Sequence, residues 1–418
     1  MSTISCGIDF GTSNSSLAVA DQQTVQLIAA ENGNSTIPSA MFFLRKGNTA
    51  YYGREAMNLF LDKTPGRLMR SLKRVLGTSV MKQGTIVNGE HMKFDAIIAS
   101  FLKKLKDQAE LEAGQSIEYV TMGRPVHFVD NDPGADERAE TELRAIGGLL
   151  GFKEISFQFE PIAAAFAHET TIGGEKLALV VDLGGGTSDF TVIRLSQNNI
   201  RKTDRTSDIL GNTGVRIGGN DLDKDLSLAA VMPVLGYRST YGEKNLEVPL
   251  KHYHDLSEWS KVNFLYNTKN IFQVKQLLFQ SHDKKRYERL LKVLEQETGH
   301  ALLAATEQTK IALTQLQEFE TPFDFLEMGL SEKVSREKFN QAIEQRVSKI
   351  SQTAMLCVAE AGVKAGDIDL VILTGGTTEV PVVQHEFAVL FPNAKVSGEN
   401  KLSSVGLGLA YDSRNKFS

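Results

Sequence analysis

At 418 residues the chain exceeds the size at which a single hydrophobic core stops growing, so two or more lobes are expected. Its 41% hydrophobic and 23% charged residues match ordinary globular usage and exclude a disordered, collagen-like or fibrous chain. A net charge of −5 excludes a strong global field for nucleic acid or an anionic membrane, and no apolar run approaches the length that spans a bilayer.

The first segment, "ISCGIDFGTSNSSLAVA" from Ile4 to Ala20, reads as a strand, a small polar turn at Gly11–Asn14, and a returning strand. "LAVAD" imitates a leader-cleavage site, but no Lys or Arg precedes it and Asp9 interrupts the apolar stretch. The two cysteines, Cys6 and Cys357, lie far apart and form no metal or redox pair, which fits a reducing, cytoplasmic setting.

Further along, "DERAETELRAIGGLLGF" has helical spacing, "ISFQF" alternates as a strand, and "EPIAAAFAHE" starts a helix with Pro161 in its first turn. Glu160 therefore falls on a strand-to-helix junction, where functional groups of α/β folds emerge. "LALVVDLGGGTSDF", Leu177 to Phe190, then repeats the N-terminal plan of strand, glycine turn and strand. "DFGTS" and "DLGGGTS" match, and a recurrence at so long a separation implies two duplicated lobes.

After this second hairpin, "GVRIGGNDLDKDL" gives a glycine turn with Asn220 as the expected helix N-cap. The span from about 232 to 299 is irregular, charged and aromatic, and is expected to form a peripheral subdomain. In it, the basic stretch "HDKKRYERLLK" reads as the wet face of a helix, and "HYH" at His252–His254 as a loop without a third metal ligand. "DLDKDL" imitates a calcium loop, but Leu226 stands where the glycine is needed and Met232 where the final glutamate belongs. Helices follow in "LLAATEQTKIALTQL" and "SREKFNQAIEQRVSKISQTAMLCVAEA", then the strand "DLVILTGG" and a helix opened by Pro381. Strand–helix alternation indicates α/β layers.

A glycine turn exposes backbone N–H groups that curl around an anion. Carboxylates beside it would repel phosphate, so Asp9, Asp182 and Asp189 make sense if a hydrated Mg²⁺ stands between them and a polyphosphate. Two opposed hairpins would then clamp one triphosphate from both sides.

"GIDFGTSNSSLAVA", "EPIAAAFAHE", "VVDLGGGTSDF", "RIGGNDLD" and "LTGGTTEVP" resemble, in order and spacing, the nucleotide-binding domain of DnaK-type heat-shock chaperones of the actin and sugar-kinase superfamily. The resemblance implies an α/β fold of two duplicated actin-like ATPase lobes with ribonuclease H-like sheets around a nucleotide cleft. Lobe I is expected over residues 1–173, with a peripheral subdomain at about 38–95, and lobe II over 174–418, with one at about 220–329. It also implies ATP or ADP with Mg²⁺ as cofactors, slow hydrolysis, and a protein client or co-chaperone as partner, with neither nucleic acid nor membrane.

By the same resemblance Gly11, Thr12, Ser13 and Asn14 form the first phosphate loop, and Gly184, Gly185, Gly186 and Thr187 the second. Asp9, Glu160, Asp182 and Asp189 match the acidic set around the metal and attacking water; Glu160, Asp182 and Thr187 also carry catalytic roles. "LKRVLG" places Lys73 at the γ-phosphate. Glu307, Lys310 and Thr314 match the residues that bond the ribose and base, with Gly218, Gly219, Gly375 and Gly376 letting the nucleoside approach the backbone. The family's two base-flanking arginines correspond here to Ile311 and Glu379, and an aspartate near the closing helix to Leu402. Ending at Ser418 without an acidic-leucine linker or β-sandwich, the chain resembles the short, stand-alone YegD-like members. A small-molecule kinase or a non-hydrolysing actin-like regulatory module of the same superfamily stays open as an alternative.

Overall fold

The computed structural model describes residues 4–47, 49–62, 64–87, 89–129, 132–170, 172–202, 204–259, 261–398 and 404–417; Leu402 lies outside them. Two central sheets share one plan. In the first, the hairpin strands Ser5–Asp9 and Asn14–Ala20 pair antiparallel, with Asp9 opposite Ser16. Tyr119–Arg124 and Glu154–Phe159 then add in parallel on the Ser5–Asp9 side. In the second, Lys176–Leu183 and Ser188–Leu195 form the hairpin, with Asp182 opposite Asp189. Leu370–Thr374 and Lys395–Ser397 add in parallel on the same side as their counterparts. Each sheet also carries a further antiparallel strand beyond its hairpin, Val25–Leu27 in one and Ile209–Val215 in the other.

The connecting helices correspond as well. Phe94–Ala113, Pro133–Leu149 and Glu160–Glu169 in the first half answer Arg336–Glu360, Pro381–Leu390 and Ser404–Phe417 in the second. Duplication read from two short loops thus extends to the whole α/β layering. Each central sheet has its own apolar core, one around Ile8, Leu17 and Phe101, the other around Val181, Phe190 and Phe339.

The last helix crosses over. Ser404–Phe417 packs on strands of the first sheet and on Glu160–Glu169, with Phe166 and Tyr411 stacked at 5.7 Å and 13°. Close approach needs glycine here: a Cβ on Gly408 would strike the backbone of Ala163, and one on Gly406 would lie 2.5 Å from Ser16 Oγ. A third cluster that includes Ile162, Ala178, Val405 and Leu409 fills the space between the halves.

Two smaller units rise from the sheets. In the first half, Ala40–Leu44, Ala50–Tyr52 and Gly66–Arg70 form a three-stranded sheet beside helix Gly53–Leu61. In the second half, the span from 232 to 299 is not irregular. It folds into the helices Lys251–Leu256, Thr268–Gln280 and Lys284–Glu295 around Val234, Leu235, Tyr253, Tyr287 and Leu290. The "HYH" stretch is part of the first of these helices, not a loop, with His252 buried. The basic stretch is amphipathic as expected: Tyr287, Leu290 and Leu294 face inward, and Lys285 and Arg289 reach Glu327.

Asn220 is not the N-cap of the helix after the glycine turn. That helix runs Gly219–Leu226 with Gly218 as its cap, and the Gly218 N–H donates to the Asp221 carboxylate at 3.0 Å. A cap needs a side chain that folds back on the first turn, and Asp221 supplies it from inside. Among the described residues, no helix is long and apolar enough to cross a membrane.

Candidate functional site

Both glycine loops leave the ends of hairpin strands, and each is held from the side so that its N–H groups stay available. In the first, the Ser39 hydroxyl donates to the Gly11 carbonyl at 2.6 Å and the Ser39 N–H to the Ser13 carbonyl at 2.8 Å. Any side chain at Gly11 would collide with the Asn14 carbonyl. In the second, Gly184 N–H closes a turn on the Thr187 carbonyl at 2.9 Å. The carbonyls of that loop are taken by Gly219 N–H at 3.0 Å, Asn220 N–H at 2.8 Å and the Thr377 hydroxyl at 2.9 Å. With their acceptors occupied, both loops offer mainly donors, which suits an anion.

The two loops face one another across the halves. A Cβ on Gly185 would lie 2.7 Å from the Ser13 hydroxyl oxygen. Gly218 lies so close under the second loop that its Cβ would fall 2.5 Å from the Gly186 nitrogen. Gly375, with φ +81, turns the end of strand Leu370–Thr374 toward Asp182, whose Oδ1 would lie 2.8 Å from a Cβ there. Gly376 opens the short turn Gly376–Glu379 that carries Thr377. Ser39 and Thr377 were missed at the sequence level; Thr377 had a signal, since it directly follows Gly375–Gly376, whereas Ser39 had none.

The acids gather at the same place. Asp9 ends one hairpin strand, and Asp182 lies one residue before the end of the corresponding strand of the other. Burial first, and then the charge of Glu160, raise Asp9 to about 8. Burial, with Asp189 and Glu160 following, raises Asp182 to about 7. Among the described residues neither carboxylate has a hydrogen bond to the protein. Asp189, opposite Asp182 in the hairpin, is exposed, as is Thr187.

Lys73 comes from a short helical turn, Leu72–Val75, and is buried at 8% exposure. It is not a surface lysine: Nζ is ion-paired with Glu160 Oε1 at the N-terminus of helix Glu160–Glu169. Burial pulls its pKa down, but the charges of Glu160, Asp9 and Asp182 outweigh this and the net shift is upward, so the ammonium stays charged. One buried cation thus stands among three carboxylates. Glu160 and Asp182, with Pro125 and Asn212, line a pocket.

The carboxylates are an oxygen-only donor set with a deficit of positive charge, which fits a hard cation such as Mg²⁺ and not a thiolate- or imidazole-seeking metal. Among the described residues no three His, Cys, Asp or Glu side chains form a direct metal cage. Mg²⁺ does not require one, because it keeps waters and takes phosphate oxygens beside one or two carboxylates.

On helix Gly299–Gln315, Glu307, Lys310 and Thr314 share a face, but Lys310 does not pair with Glu307. Its Nζ reaches Asp223 at 2.8 Å, a partner that local spacing could not select because it lies 87 positions away. Burial raises Asp223 to about 6, against the pull of Lys310. A Cβ on Gly219 would lie 3.5 Å from Lys310 Nζ and 3.8 Å from the Gly184 carbonyl, so the helix face adjoins the second loop. Thr314 donates its hydroxyl proton to the Ile311 carbonyl at 2.7 Å.

A family model described as Hsp70 protein matches residues 5–232 and 269–413. The chain belongs to the Hsp70 family. Its two-lobed α/β architecture is the actin-like ATPase fold of that family. Among its relatives, the chaperone protein DnaK of Buchnera aphidicola subsp. Schizaphis graminum (strain Sg) is 26% identical over 432 residues. The alignment covers 97% of this Hsp70-family chain but 58% of that relative, so the chain spans less than two thirds of the DnaK it matches.

Proposed function

We propose that the chain binds ATP and ADP with Mg²⁺ between the two glycine loops, hydrolyses ATP slowly, and acts as a chaperone-like nucleotide switch toward a protein client or co-chaperone. The observation that carries this reading is the approach of Gly185 to the Ser13 hydroxyl: two donor-rich loops, one per lobe, confront each other over a floor of carboxylates. Membership of the Hsp70 family supports the same assignment.

In this reading the loops Gly11–Asn14 and Gly184–Thr187 hold the phosphates through their free N–H groups, the Gly184 N–H closing the second turn, and Thr187 lends its hydroxyl beside them. Asp9 and Asp182, with Asp189 behind, hold the hydrated Mg²⁺, which when bound neutralises phosphate charge. Lys73 stabilises the charge that builds on the γ-phosphate. Glu160 is engaged by Lys73, so its role is to orient the attacking water more than to ligate metal. Glu307, Lys310 and Thr314 line the nucleoside side, and Gly218, Gly219, Gly375 and Gly376 allow close approach. Phosphoryl transfer needs little beyond such positioning and charge stabilisation.

Calorimetry with Mg·ATP and Mg·ADP, followed by phosphate release under single turnover, tests the assignment. Saturable binding with release above a Lys73→Met control is expected. Absence of binding at millimolar nucleotide removes it.

A further inference from the structure

Stacking a cation on a nucleobase contributes affinity at little geometric cost, yet the second lobe has none at the expected positions. Ile311 is apolar and 59% exposed, and Glu379 has the wrong sign. The first lobe does place a cation there. Starting from the second glycine loop, Gly219 leads to Lys310, and Glu307 lies one helical turn beyond, roughly 4.5 Å along the axis. Arg70, at the end of strand Gly66–Arg70 in the first lobe, lies close enough to Glu307 to feel its negative charge.

Arg70 is exposed, and its side chain makes no ion pair or hydrogen bond among the described residues. Its guanidinium carbon sits over Trp259, 5.6 Å from the ring centre. Trp259 belongs to the stretch 233–268, the internal part of the chain that the Hsp70 family model does not match. The ring is braced in turn: it lies 5.4 Å from His300, and His300 meets Phe60 of the first lobe edge-on at 4.5 Å. A charged planar group with free donors is therefore held by a packed aromatic cluster, one helical turn out from the phosphate side, facing the expected ribose carboxylate.

We propose that Arg70, backed by Trp259, receives the nucleoside end of a purine nucleoside di- or triphosphate, so that base recognition crosses the cleft from the first lobe. This rests on the nucleotide reading above. The bound nucleotide then bridges the lobes at both ends: the glycine loops share its phosphates, and Glu307 and Arg70 share its nucleoside.

The test is calorimetry on the full chain with two probes, Mg·ATP and Mg·tripolyphosphate, for wild type, Arg70→Ala and Arg70→Lys, with thermal unfolding to verify folding. Arg70→Ala is expected to weaken ATP about tenfold while leaving tripolyphosphate within about twofold. Arg70→Lys, which keeps the charge but not the planar fork, falls between. Because Trp259 is the only tryptophan, its emission responds to ATP and not to tripolyphosphate. Equal ATP affinity in wild type and Arg70→Ala overturns the role of Arg70 alone, as does equal weakening of both probes. Failure of wild type to bind ATP overturns the nucleotide reading itself.

Discussion

Replacing Lys73 with Met removes the one buried cation that stands among Glu160, Asp9 and Asp182. The Lys73 and Glu160 side chains are 8% and 16% exposed. Stripping one partner from a pair buried to that degree costs on the order of 3 kcal/mol, less whatever Glu160 recovers by taking a proton. Asp9, already at about 8, and Asp182, at about 7, lose the only neighbour that lowers them, so both move further up. The catalytic loss is separable from this. A preorganised donor aimed at developing charge contributes roughly 10²–10³-fold in rate. Ground-state binding changes much less, because the two loops and the nucleoside side remain. The assay is phosphate release from a one-to-one complex with Mg·ATP, beside equilibrium binding and urea unfolding. The expected pattern is a rate loss of at least about a hundredfold with ATP affinity altered by less than about tenfold. A folded Lys73→Met protein that releases phosphate at the wild-type rate refutes the catalytic role and leaves Lys73 as a structural partner of Glu160.

Gly218→Ala drives a Cβ to 2.5 Å from the Gly186 nitrogen, so the second loop must shift; ADP binding by calorimetry should weaken by about tenfold or more, whereas Gly173→Ala, with open space around it, should change nothing. Burial lowers His300 from 6.5 to about 4, so below pH 6.5 the unfolded chain binds the proton first. Stability present above pH 6.5 is then lost progressively down to about pH 4, by at most roughly 3 kcal/mol, and urea titrations of His300→Phe should lack that part of the slope. Arg205 is buried with Glu169 and Asp208 far from the loops; Arg205→Met strands two buried carboxylates and should cost about 3–5 kcal/mol in urea unfolding without altering ATP affinity of the folded protein.

The hairpins were legible because their signal is local: an Asp, a large apolar residue and glycines within six positions, repeated once, force the same turn twice. Helices with a regular apolar stripe, such as Arg336–Glu360, were legible for the same reason. What escaped depends on contacts between distant segments. Lys73 was selected through the resemblance, but its basic run alone does not show its partner, and docking of its short turn against Glu160 is what buries it. Lys310 looks like a partner for Glu307 at helical spacing, but tertiary packing brings Asp223 closer. The 232–299 subdomain looked irregular because each of its three helices buries only one to four residues in a shared core. Asn220 was misplaced by two positions, because an acid inside the helix can cap as well as a residue before it.

The two halves are joined very differently at their two ends, and this asymmetry gives the site a mechanical meaning. At one end Glu160–Glu169 and Ser404–Phe417 pack through glycine contacts and a stacked aromatic pair over a fully apolar cluster, an interface that cannot part without exposing buried surface. At the other end, among the described residues, side-chain tips meet across the lobes: Phe60 on His300 and Arg70 over Trp259. Separation is therefore easiest at the mouth, pivoting on the crossed helices. Lys73 and Glu160 sit on the pivot side in one lobe, while Asp182 and the second loop belong to the other, so opening pulls the acids and loops apart. A ligand that touches both loops binds the closed arrangement more tightly, and only that difference in affinity can shift the lobes. Under the proposed nucleotide reading, the same geometry that gathers phosphate donors makes occupancy of the loops and lobe closure one equilibrium.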